Sequence, residues 1–284
     1  MSCVTMKEML AKAYQGKYAI AAYNIIDFLT TRAVIETAES LHAPVITQVS
    51  VKTIKFWGYD AIVSWYRQLA EKASIPVALH LDHCKEHEVI QNCINAGWTS
   101  VMIDASSFPY EKNVEMSMKA REMADNGGVT LEAELGQIGG VEDDISVEEE
   151  DAHLADVNKA IEFCELVKPD LFAPAIGTAH GIYKGKPKIA YDRIEEISNR
   201  TKIPIALHGG TGLSDDVFKK CISLGCAKIN ISTMLKHGFI DSFFEYKENN
   251  PGDYEPIKYL QNQFDFVKKD MHQIISLFGG SGKA

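Results

Sequence analysis

The sequence lacks any run of eighteen or more apolar residues, and its first ten residues carry no charged-then-apolar signal pattern. We therefore expect neither a membrane-spanning helix nor a secretory signal, and we predict a cytoplasmic protein. No C-x-x-C pair occurs among the six cysteines, which argues against a disulfide framework and a thiolate zinc finger. Basic charge is also scarce, with 29 lysines and arginines against 39 aspartates and glutamates and a net charge of −10. This balance argues against a large nucleic-acid-binding face.

The 284 residues contain 46% hydrophobic and 24% charged residues, which is typical of a globular chain with a sizeable core. Short apolar runs recur about every thirty residues, and a segment of helical periodicity follows each one. The predicted strands are Tyr18 to Tyr23, Pro44 to Val49, Pro76 to Leu81, Ser100 to Ile103, Val129 to Glu134, Leu171 to Ile176, Ile203 to Leu207 and Lys228 to Ile231.

The segments between the strands predict helices that cover one face of a parallel sheet. They are Thr31 to Leu41, Asp60 to Ala73, Glu86 to Ala96, Glu111 to Asp125, Val157 to Val167, Tyr191 to Thr201, Asp215 to Leu224 and Thr233 to Lys247, with a further amphipathic helix at Pro256 to Leu277. Eight such units favour an α/β fold of the closed (β/α)8 TIM-barrel type with an additional C-terminal helix. No shift in composition marks a boundary, so residues 1–284 are predicted to form a single domain.

One segment does not fit this alternation. The acidic stretch from Glu142 to Asp151 lies between the fifth strand and its helix, and it is too long for a tight turn. We expect a mobile loop over the mouth of the barrel, where active sites of this fold lie.

Polar residues collect at the predicted carboxyl ends of the strands, and histidines are prominent among them. His83, His180 and His208 follow three different strands, so they are expected to converge over the barrel mouth as three imidazole ligands. Three histidines with one open position are a common arrangement of catalytic zinc. His80 lies lower in its strand and is expected to be structural or to support a ligand.

A second metal motif overlaps the first, because His83-Cys-Lys-Glu-His87 matches the H-x-x-E-H pattern of one zinc protease group. That pattern needs both histidines on one continuous helix. Here His83 directly follows a strand, so the protease interpretation is disfavoured.

Two further loops predict a phosphate site. The glycine-rich turn His208-Gly-Gly-Thr-Gly-Leu-Ser and the segment Lys228-Ile-Asn-Ile-Ser-Thr follow the seventh and eighth strands. In many barrels these loops bind phosphate through backbone N–H groups and a helix N-terminus.

Carboxylates complete the candidate site. Asp82 adjoins a proposed ligand, where an acid could orient an imidazole or exchange a proton with substrate. Asp104 and Glu134 lie at the ends of neighbouring strands and are candidates for an alternative metal position. Glu132 is interpreted as part of a buried ion pair, and Glu142 is the one residue of the acidic stretch expected to act in chemistry.

Together these motifs resemble those of the class II, zinc-dependent ketose-bisphosphate aldolases, which include the fructose- and tagatose-bisphosphate aldolases. The resemblance covers essentially the whole chain. The matching segments are Ala22-Tyr-Asn24, Leu79-His-Leu-Asp-His83, Met102-Ile-Asp-Ala-Ser106, Glu132-Ala-Glu-Leu-Gly136, Gly139-Gly-Val-Glu-Asp143, Ala175-Ile-Gly-Thr-Ala-His-Gly181, Leu207-His-Gly-Gly-Thr211, Lys228-Ile-Asn-Ile-Ser-Thr233 and Phe278-Gly-Gly-Ser-Gly282.

The resemblance implies a role for each matching residue. His83, His180 and His208 would be the Zn²⁺ ligands, Asp82 the acid/base at the carbon-4 hydroxyl, and Glu142 the residue that moves the proton of the dihydroxyacetone phosphate half. Asp104 and Glu134 would form a second divalent metal position. The residues implied in substrate binding, with a monovalent cation (Na⁺ or K⁺) nearby, are Asn24, Ser50, Gly181, Gly209, Gly210, Thr211, Asn230, Ile231, Ser232 and Thr233.

The implied reaction cleaves a ketose 1,6-bisphosphate reversibly to dihydroxyacetone phosphate and glyceraldehyde 3-phosphate through a metal-stabilised enediolate. The family also implies a homodimer or homotetramer, and the charge balance and lack of long apolar runs predict no nucleic-acid or membrane partner. Two departures bear on the substrate. Where the family often has a Pro-Arg pair that binds the far phosphate, this chain has Pro256-Ile257, and Met234 stands where an acidic residue is common.

Other functions remain open at this point. The chain could act on another ketose 1-phosphate that lacks the far phosphate, or it could be a non-catalytic assembly subunit that keeps the fold. A zinc hydrolase on the same barrel is a third alternative, and it predicts activity that does not depend on a phosphate group.

Overall fold

The computed structural model describes residues 2–142, 145–147, 154–181 and 187–284, and residues 141–142 and 145–147 by their backbone alone. The strands in chain order are β1 (Ile20–Asn24), β2 (Val45–Ser50), β3 (Val77–Cys84), β4 (Ser100–Ile103), β5 (Thr130–Leu135), β6 (Gly139–Glu142), β7 (Ile145–Val147), β8 (Leu171–Pro174), β9 (Ala179–His180), β10 (Ile205–Leu207) and β11 (Cys226–Ile231).

The helices alternate with these strands along the chain. They are α1 (Met6–Gly16), α2 (Phe28–Ser40), α3 (Val51–Trp57), α4 (Tyr59–Ala70), α5 (His87–Ala96), α6 (Tyr110–Gly127), α7 (Val157–Val167), α8 (Tyr191–Thr201), α9 (Asp215–Leu224), α10 (Thr233–Asn249) and α11 (Pro256–Leu277).

Eight of the described strands close into a parallel barrel in the order β1-β11-β10-β8-β5-β4-β3-β2. Their outward-facing residues form one large core with the surrounding helices, because parallel strands are covered by the helices that connect them. The predicted (β/α)8 TIM-barrel class and the additional C-terminal helix are confirmed. Helix α11 packs against α2 and α10, and its Met271 carbonyl accepts a hydrogen bond of 3.2 Å from the buried Tyr23 hydroxyl.

The barrel interior divides into an apolar and a polar half. Side chains of α1, among them Met6 and Leu10, are fully buried against inward-facing residues such as Ile46, Ala78 and Ala206 near the amino ends of the strands. Helix α1 therefore closes that end of the barrel. Further along the same strands, every second residue faces inward and most of those side chains are polar. The polar interior leads to the mouth at the carboxyl ends.

The structure contains elements that the sequence patterns did not predict. Helices α1 and α3 were missed, and the connection between β5 and α7 is not wholly irregular. Strand β6 pairs antiparallel with β7 and parallel with β9, which forms a small second sheet. The expected loop from Glu142 to Asp151 thus begins with paired strands, and residues 143–144 and 148–151 lie outside the described part of the chain. Among the described residues, no helix is both long and apolar enough to cross a membrane.

An ion-pair cluster joins three elements on the outside of the barrel. Asp170 is 7% exposed at its side chain, pairs with Arg121 at 2.7 Å and with Lys7 at 2.9 Å, and accepts a hydrogen bond of 3.0 Å from the Leu131 amide. Burial alone would raise the pKa of Asp170, but Arg121, the Leu131 amide and Lys7 outweigh it and hold that pKa below its usual value.

Asp170→Asn should lower the free energy of unfolding at pH 7 by about 2 to 3 kcal/mol. The substitution removes the buried charge that pairs with Arg121 and leaves Arg121 only its exposed partner Asp125, at 2.6 Å. A carboxylate with a depressed pKa stabilises the fold above its unfolded pKa of about 3.9, and that contribution is lost as the pH falls through the folded pKa. Urea unfolding should therefore show a smaller difference in stability between Asp170→Asn and the unsubstituted protein at about pH 3.5 than at pH 7.

The control is Glu196→Gln, which disrupts the exposed Arg200–Glu196 pair and should cost roughly 0.5 kcal/mol or less. An Asp170→Asn effect that is as large in acid as at neutral pH would contradict the ionic origin of this stabilisation.

Candidate active site

A one-residue register shift between β3 and β4 positions Asp82 and His83. Leu81 pairs with Val101 and Cys84 with Ile103, so β3 contains one residue more than β4 over this interval. His83 adopts a left-handed backbone conformation with φ 46°. Consecutive residues of a regular strand face opposite sides, but this bulge lets both Asp82 and His83 contribute to the mouth.

His83, His180 and His208 meet at the barrel mouth, and their ligating nitrogens lie within 4.8 Å of one another. His83 follows the β3 bulge, His180 is the second residue of the short strand β9, and His208 follows β10 directly. All three are almost fully shielded from solvent, with side-chain or residue exposures of 6%, 5% and 1%. The sequence prediction that these histidines converge agrees with this geometry.

The histidine cluster has the properties of a metal site. His83 Nδ1 lies 2.9 Å from Asp104 Oδ2, and His208 Nε2 lies 2.7 Å from Glu132 Oε1. If each ring donates its N–H to its carboxylate, the opposite ring nitrogens, His83 Nε2 and His208 Nδ1, each carry a lone pair. These two nitrogens are 2.9 Å apart and face each other. Two facing lone pairs repel unless a cation lies between them. Three convergent imidazoles, two of which contact carboxylates, are a donor set that suits Zn²⁺.

The charges around His83 also favour a cation. Burial lowers the pKa of His83, but Asp82, Asp104 and Glu134 outweigh it and raise that pKa well above its usual value. Burial lowers the pKa of His208 to about 4, although Glu132 opposes this shift. The carboxylates around His83 therefore favour a positive charge at this point, which either a proton on His83 or a bound metal ion would supply.

Asp104 and Glu134 converge on His83 from the next two strands. His83 Nδ1, Asp104 and Glu134 form a second group whose atoms lie within 4.8 Å of one another. Burial would raise the pKa of Asp104, but His83 and Ser106 outweigh it and lower that pKa. Burial and the neighbouring Asp104 instead raise the pKa of Glu134 well above its usual value.

Three side-chain amides hold the carboxylate of Asp82. Asn24 Nδ2 and Gln48 Nε2 donate to Oδ2 at 2.8 and 3.2 Å, and Asn230 Nδ2 donates to Oδ1 at 3.3 Å. Asp82 is 1% exposed and belongs to neither metal-ligating group among the described residues. Its orientation is therefore fixed by hydrogen bonds rather than by the metal site.

A small recess lies beside His180. The described residues that line it are His180, Gly181, Gly209, Gly210, Thr211, Asn230, Ser232 and Thr233. Helix α10 begins here at Thr233, and the buried Oγ of Ser232 has no hydrogen-bond partner among the described residues. Glycine backbone, hydroxyls and a helix N-terminus are the groups that bind phosphate.

Some of the predicted site residues are placed differently. Ile231 lies between Asn230 and Ser232 on β11, so its side chain faces the outer core and only its backbone reaches the recess side. Ser50 is the register partner of Asp82 and caps α3 at Thr53. The backbone of Glu142 ends β6, but its side chain lies outside what the structure describes.

The alternative protease motif is absent from the structure. His83 belongs to β3, whereas His87 is the first residue of α5 and bonds the Met116 carbonyl at 2.8 Å. The two histidines therefore share no helix.

Three side chains that support the site were not predicted from the sequence. Gln48 contacts Asp82, Ser106 Oγ donates to Asp104 at 2.6 Å, and Lys228 pairs with Glu132 at 2.9 Å. Glu132 itself was predicted to be in a buried ion pair, and this is confirmed. A lysine inside the fully buried strand β11 was the signal that could have identified its partner.

Comparison with known proteins agrees with this geometry. A sequence profile described as fructose-bisphosphate aldolase class-II matches residues 4–283. The fructose-bisphosphate aldolase of Geobacillus stearothermophilus is 40% identical over 287 residues, which covers 100% of this chain and 99% of that protein. The sulfofructosephosphate aldolase of Alkalicoccus urumqiensis is 35% identical, with 100% and 99% covered.

A similar solved structure is that of the YdjI aldolase from Escherichia coli K12. It has a TM-score of 0.88 and 30% sequence identity, and the match covers 99% of each chain. The similarity thus extends over the barrel, the small sheet and the C-terminal helix alike. The chain belongs to the class II fructose-bisphosphate aldolase family, and it is an enzyme of the aldehyde-lyase type.

Proposed function

We propose that this chain is a zinc-dependent aldolase that reversibly cleaves a ketose 1,6-bisphosphate, of fructose or tagatose, to dihydroxyacetone phosphate and glyceraldehyde 3-phosphate. The observation that carries the proposal is the convergence of His83, His180 and His208 beside Asp82 in one barrel mouth. The proposal treats residues 1–284 as one domain that acts in the cytoplasm.

Zinc, when bound by the three histidines, would act as a Lewis acid that polarises the ketose carbonyl and stabilises the charge left by cleavage. The recess of Gly181, Gly209 to Thr211 and Asn230 to Thr233 would bind the phosphate of the dihydroxyacetone half. Substrate bound there lies next to His180, because that residue lines the same recess. Asn24 and Ser50 are proposed as further contacts to the sugar.

Asp82 is proposed to accept the proton of the carbon-4 hydroxyl. As that proton leaves, the bond between carbons 3 and 4 breaks, its electrons stay on carbon 3, and the aldehyde departs. Glu142 then delivers a proton to carbon 3 to complete dihydroxyacetone phosphate. The hydrogen bonds from Asn24, Gln48 and Asn230 support this role for Asp82, since they fix the orientation of its carboxylate oxygens.

Asp104 and Glu134 are proposed as a second divalent metal position that shares His83. Carboxylate oxygens and backbone carbonyls also suit a monovalent cation such as Na⁺ or K⁺, which we place near the phosphate recess.

The far end of the substrate has a second candidate. Ile257 is 67% exposed and carries no charge, and the adjacent Lys258 pairs with Asp253 at 2.8 Å. These observations favour a ketose 1-phosphate with another group at the far end as the alternative substrate. The sulfofructosephosphate aldolase among the relatives is named for a fructose phosphate that carries a sulfo group.

We also propose a homodimer or homotetramer. Apolar side chains are exposed along α10 and α11, where Ile240, Phe243, Phe244 and Leu260 are each between 44% and 60% accessible. Contiguous exposed apolar surface often marks a protein–protein interface. Sedimentation equilibrium tests the assembly, and a mass of one chain would exclude it.

The function is tested with metal-stripped protein reloaded with zinc. We expect release of dihydroxyacetone phosphate only after zinc is restored, from fructose or tagatose 1,6-bisphosphate. Fructose 1-phosphate and sulfofructose phosphate, assayed in parallel, report whether the far phosphate is needed.

Other outcomes identify the alternatives. Cleavage of the monophosphates but not the bisphosphates would indicate that the substrate is another ketose 1-phosphate. Zinc binding with no cleavage of any ketose phosphate would favour an assembly subunit. Zinc-dependent hydrolysis of unphosphorylated esters would indicate a hydrolase.

A further inference from the structure

Lys228 lies in the interior of the barrel, beneath the candidate site. It is 0% exposed, and it precedes Asn230 by two residues on β11, so both side chains face inward. Its Nζ lies 2.9 Å from Glu132 Oε2 on β5 and donates to Asn230 Oδ1 at 2.6 Å. No role in the proposed reaction has been given to this lysine.

The contact between Lys228 and Asn230 fixes the orientation of an amide. An ammonium group can only donate hydrogen bonds, so the oxygen of Asn230 must face Lys228. The amide nitrogen then necessarily points the other way, toward Asp82 Oδ1 at 3.3 Å. The Asp82 carboxylate only accepts and so also favours the amide nitrogen, but its contact is long, and the shorter bond from Lys228 fixes the other end of the amide.

Glu132 in turn holds Lys228 in place. Its Oε2 forms an ion pair with Lys228 Nζ at 2.9 Å, while its Oε1 faces His208 Nε2 at 2.7 Å. His80 Nε2 lies 3.2 Å from the same Oε2. The ion pair with Glu132, which reaches across the barrel interior from β5, therefore holds the ammonium group of Lys228 beside Asn230.

A purely structural role explains this arrangement poorly. Apolar residues that fill the same volume usually replace a buried ion pair without loss of stability. Lys228 donates to Asn230, and Asn230 donates in turn to Asp82, the carboxylate that the proposed reaction needs. We propose that Lys228 is a positioning residue, which orients the Asn230 amide so that Asp82 is held as a proton acceptor; this inference rests on the proposed function.

The test is a double-mutant cycle between Lys228→Met and Asp82→Asn, with turnover for ketose cleavage as the readout. Lys228→Met alone should lower turnover by roughly 10- to 100-fold, as loss of a supporting partner does at other sites. In the Asp82→Asn background the same change should have an effect below about twofold, because residues that act as a unit are not additive.

A second readout separates positioning from general damage. Exchange of the carbon-3 hydrogen of dihydroxyacetone phosphate with solvent does not use the carbon-4 hydroxyl. It should therefore stay within about threefold of the unsubstituted enzyme in Lys228→Met. Arg121→Met is the matched control, since it breaks the Asp170 ion pair outside the barrel and should lower stability without changing the ratio of cleavage to exchange.

If Lys228→Met fails to fold because Glu132 is left unpaired, Lys228→Met/Glu132→Gln removes the charge pair together and is compared with Glu132→Gln alone. Additive losses in the cycle, or equal losses of cleavage and exchange, would overturn the proposal while leaving the aldolase assignment intact. If the unsubstituted enzyme shows no zinc-dependent cleavage of any ketose phosphate, both the proposed aldolase function and the positioning role of Lys228 are contradicted.

Discussion

Replacing Asp82 with asparagine should lower turnover for ketose cleavage by about 10³-fold, which is the range of a lost acid/base group. Asparagine has nearly the same shape as aspartate but cannot accept the hydroxyl proton. Its amide nitrogen would also face a donor, since Asn24, Gln48 and Asn230 all donate to Asp82. The zinc content should not change, because Asp82 lies outside both metal-ligating groups of the described residues.

The measurement combines steady-state cleavage, metal analysis and deuterium exchange into dihydroxyacetone phosphate. Cleavage should fall while exchange persists, because exchange requires the metal and the proposed base Glu142 but not Asp82. Asp170→Asn serves as the control, since it makes the same chemical change outside the site. Equal loss of cleavage and exchange with zinc retained would show that Asp82 acts on the other half of the substrate.

Gly209→Ala should lower zinc affinity by roughly 10- to 100-fold and turnover by about 10²-fold. The Cβ atom of an alanine at this position would lie 2.5 Å from the Ala179 carbonyl oxygen, immediately before His180. Gly140 on the neighbouring strand β6 also packs closely against β9, and a Cβ at that position would overlap the His180 carbonyl oxygen. Strand β9 therefore sits between two glycines, and either methyl group would displace His180.

Gly128→Ala is a closely matched control for this prediction. Gly128 has φ 66°, against 67° for Gly209, but a Cβ there would meet no atom within 4 Å. Both variants carry the cost of a left-handed alanine, about 1 kcal/mol, so only the steric displacement differs. Zinc affinity is measured by competition with a chromophoric chelator. Loss of affinity in Gly128→Ala, or retention in Gly209→Ala, would contradict the role assigned to the β9 packing.

Sequence patterns predicted the barrel because its strands and helices repeat with a clear period. Four helices, α7, α8, α9 and α11, begin and end at the predicted residues. The three histidines were found for a similar reason, since the carboxyl end of a parallel strand is easy to locate. The side chains that support Asp82 and Glu132 were harder to find, because Gln48 and Lys228 lie inside strands and their partners are distant in sequence.

The missed elements have a different cause. Helix α3 directly follows β2 at Val51, with no turn residues to separate the two. Strands β6, β7 and β9 have four, three and two residues, which is too short for a period to appear. The bulge at His83 depends on how β3 aligns with β4, and register is a property of two strands together.

That bulge limits how this chemistry could be transplanted. An engineer who copied Asp82 and His83 onto a regular strand of another barrel would direct one side chain into the mouth and the other into the surrounding helices. The recipient strand needs one additional residue and a left-handed backbone at the histidine, as the φ of 46° shows here. The unit to be transferred is therefore a strand pair with its offset rather than a set of side chains.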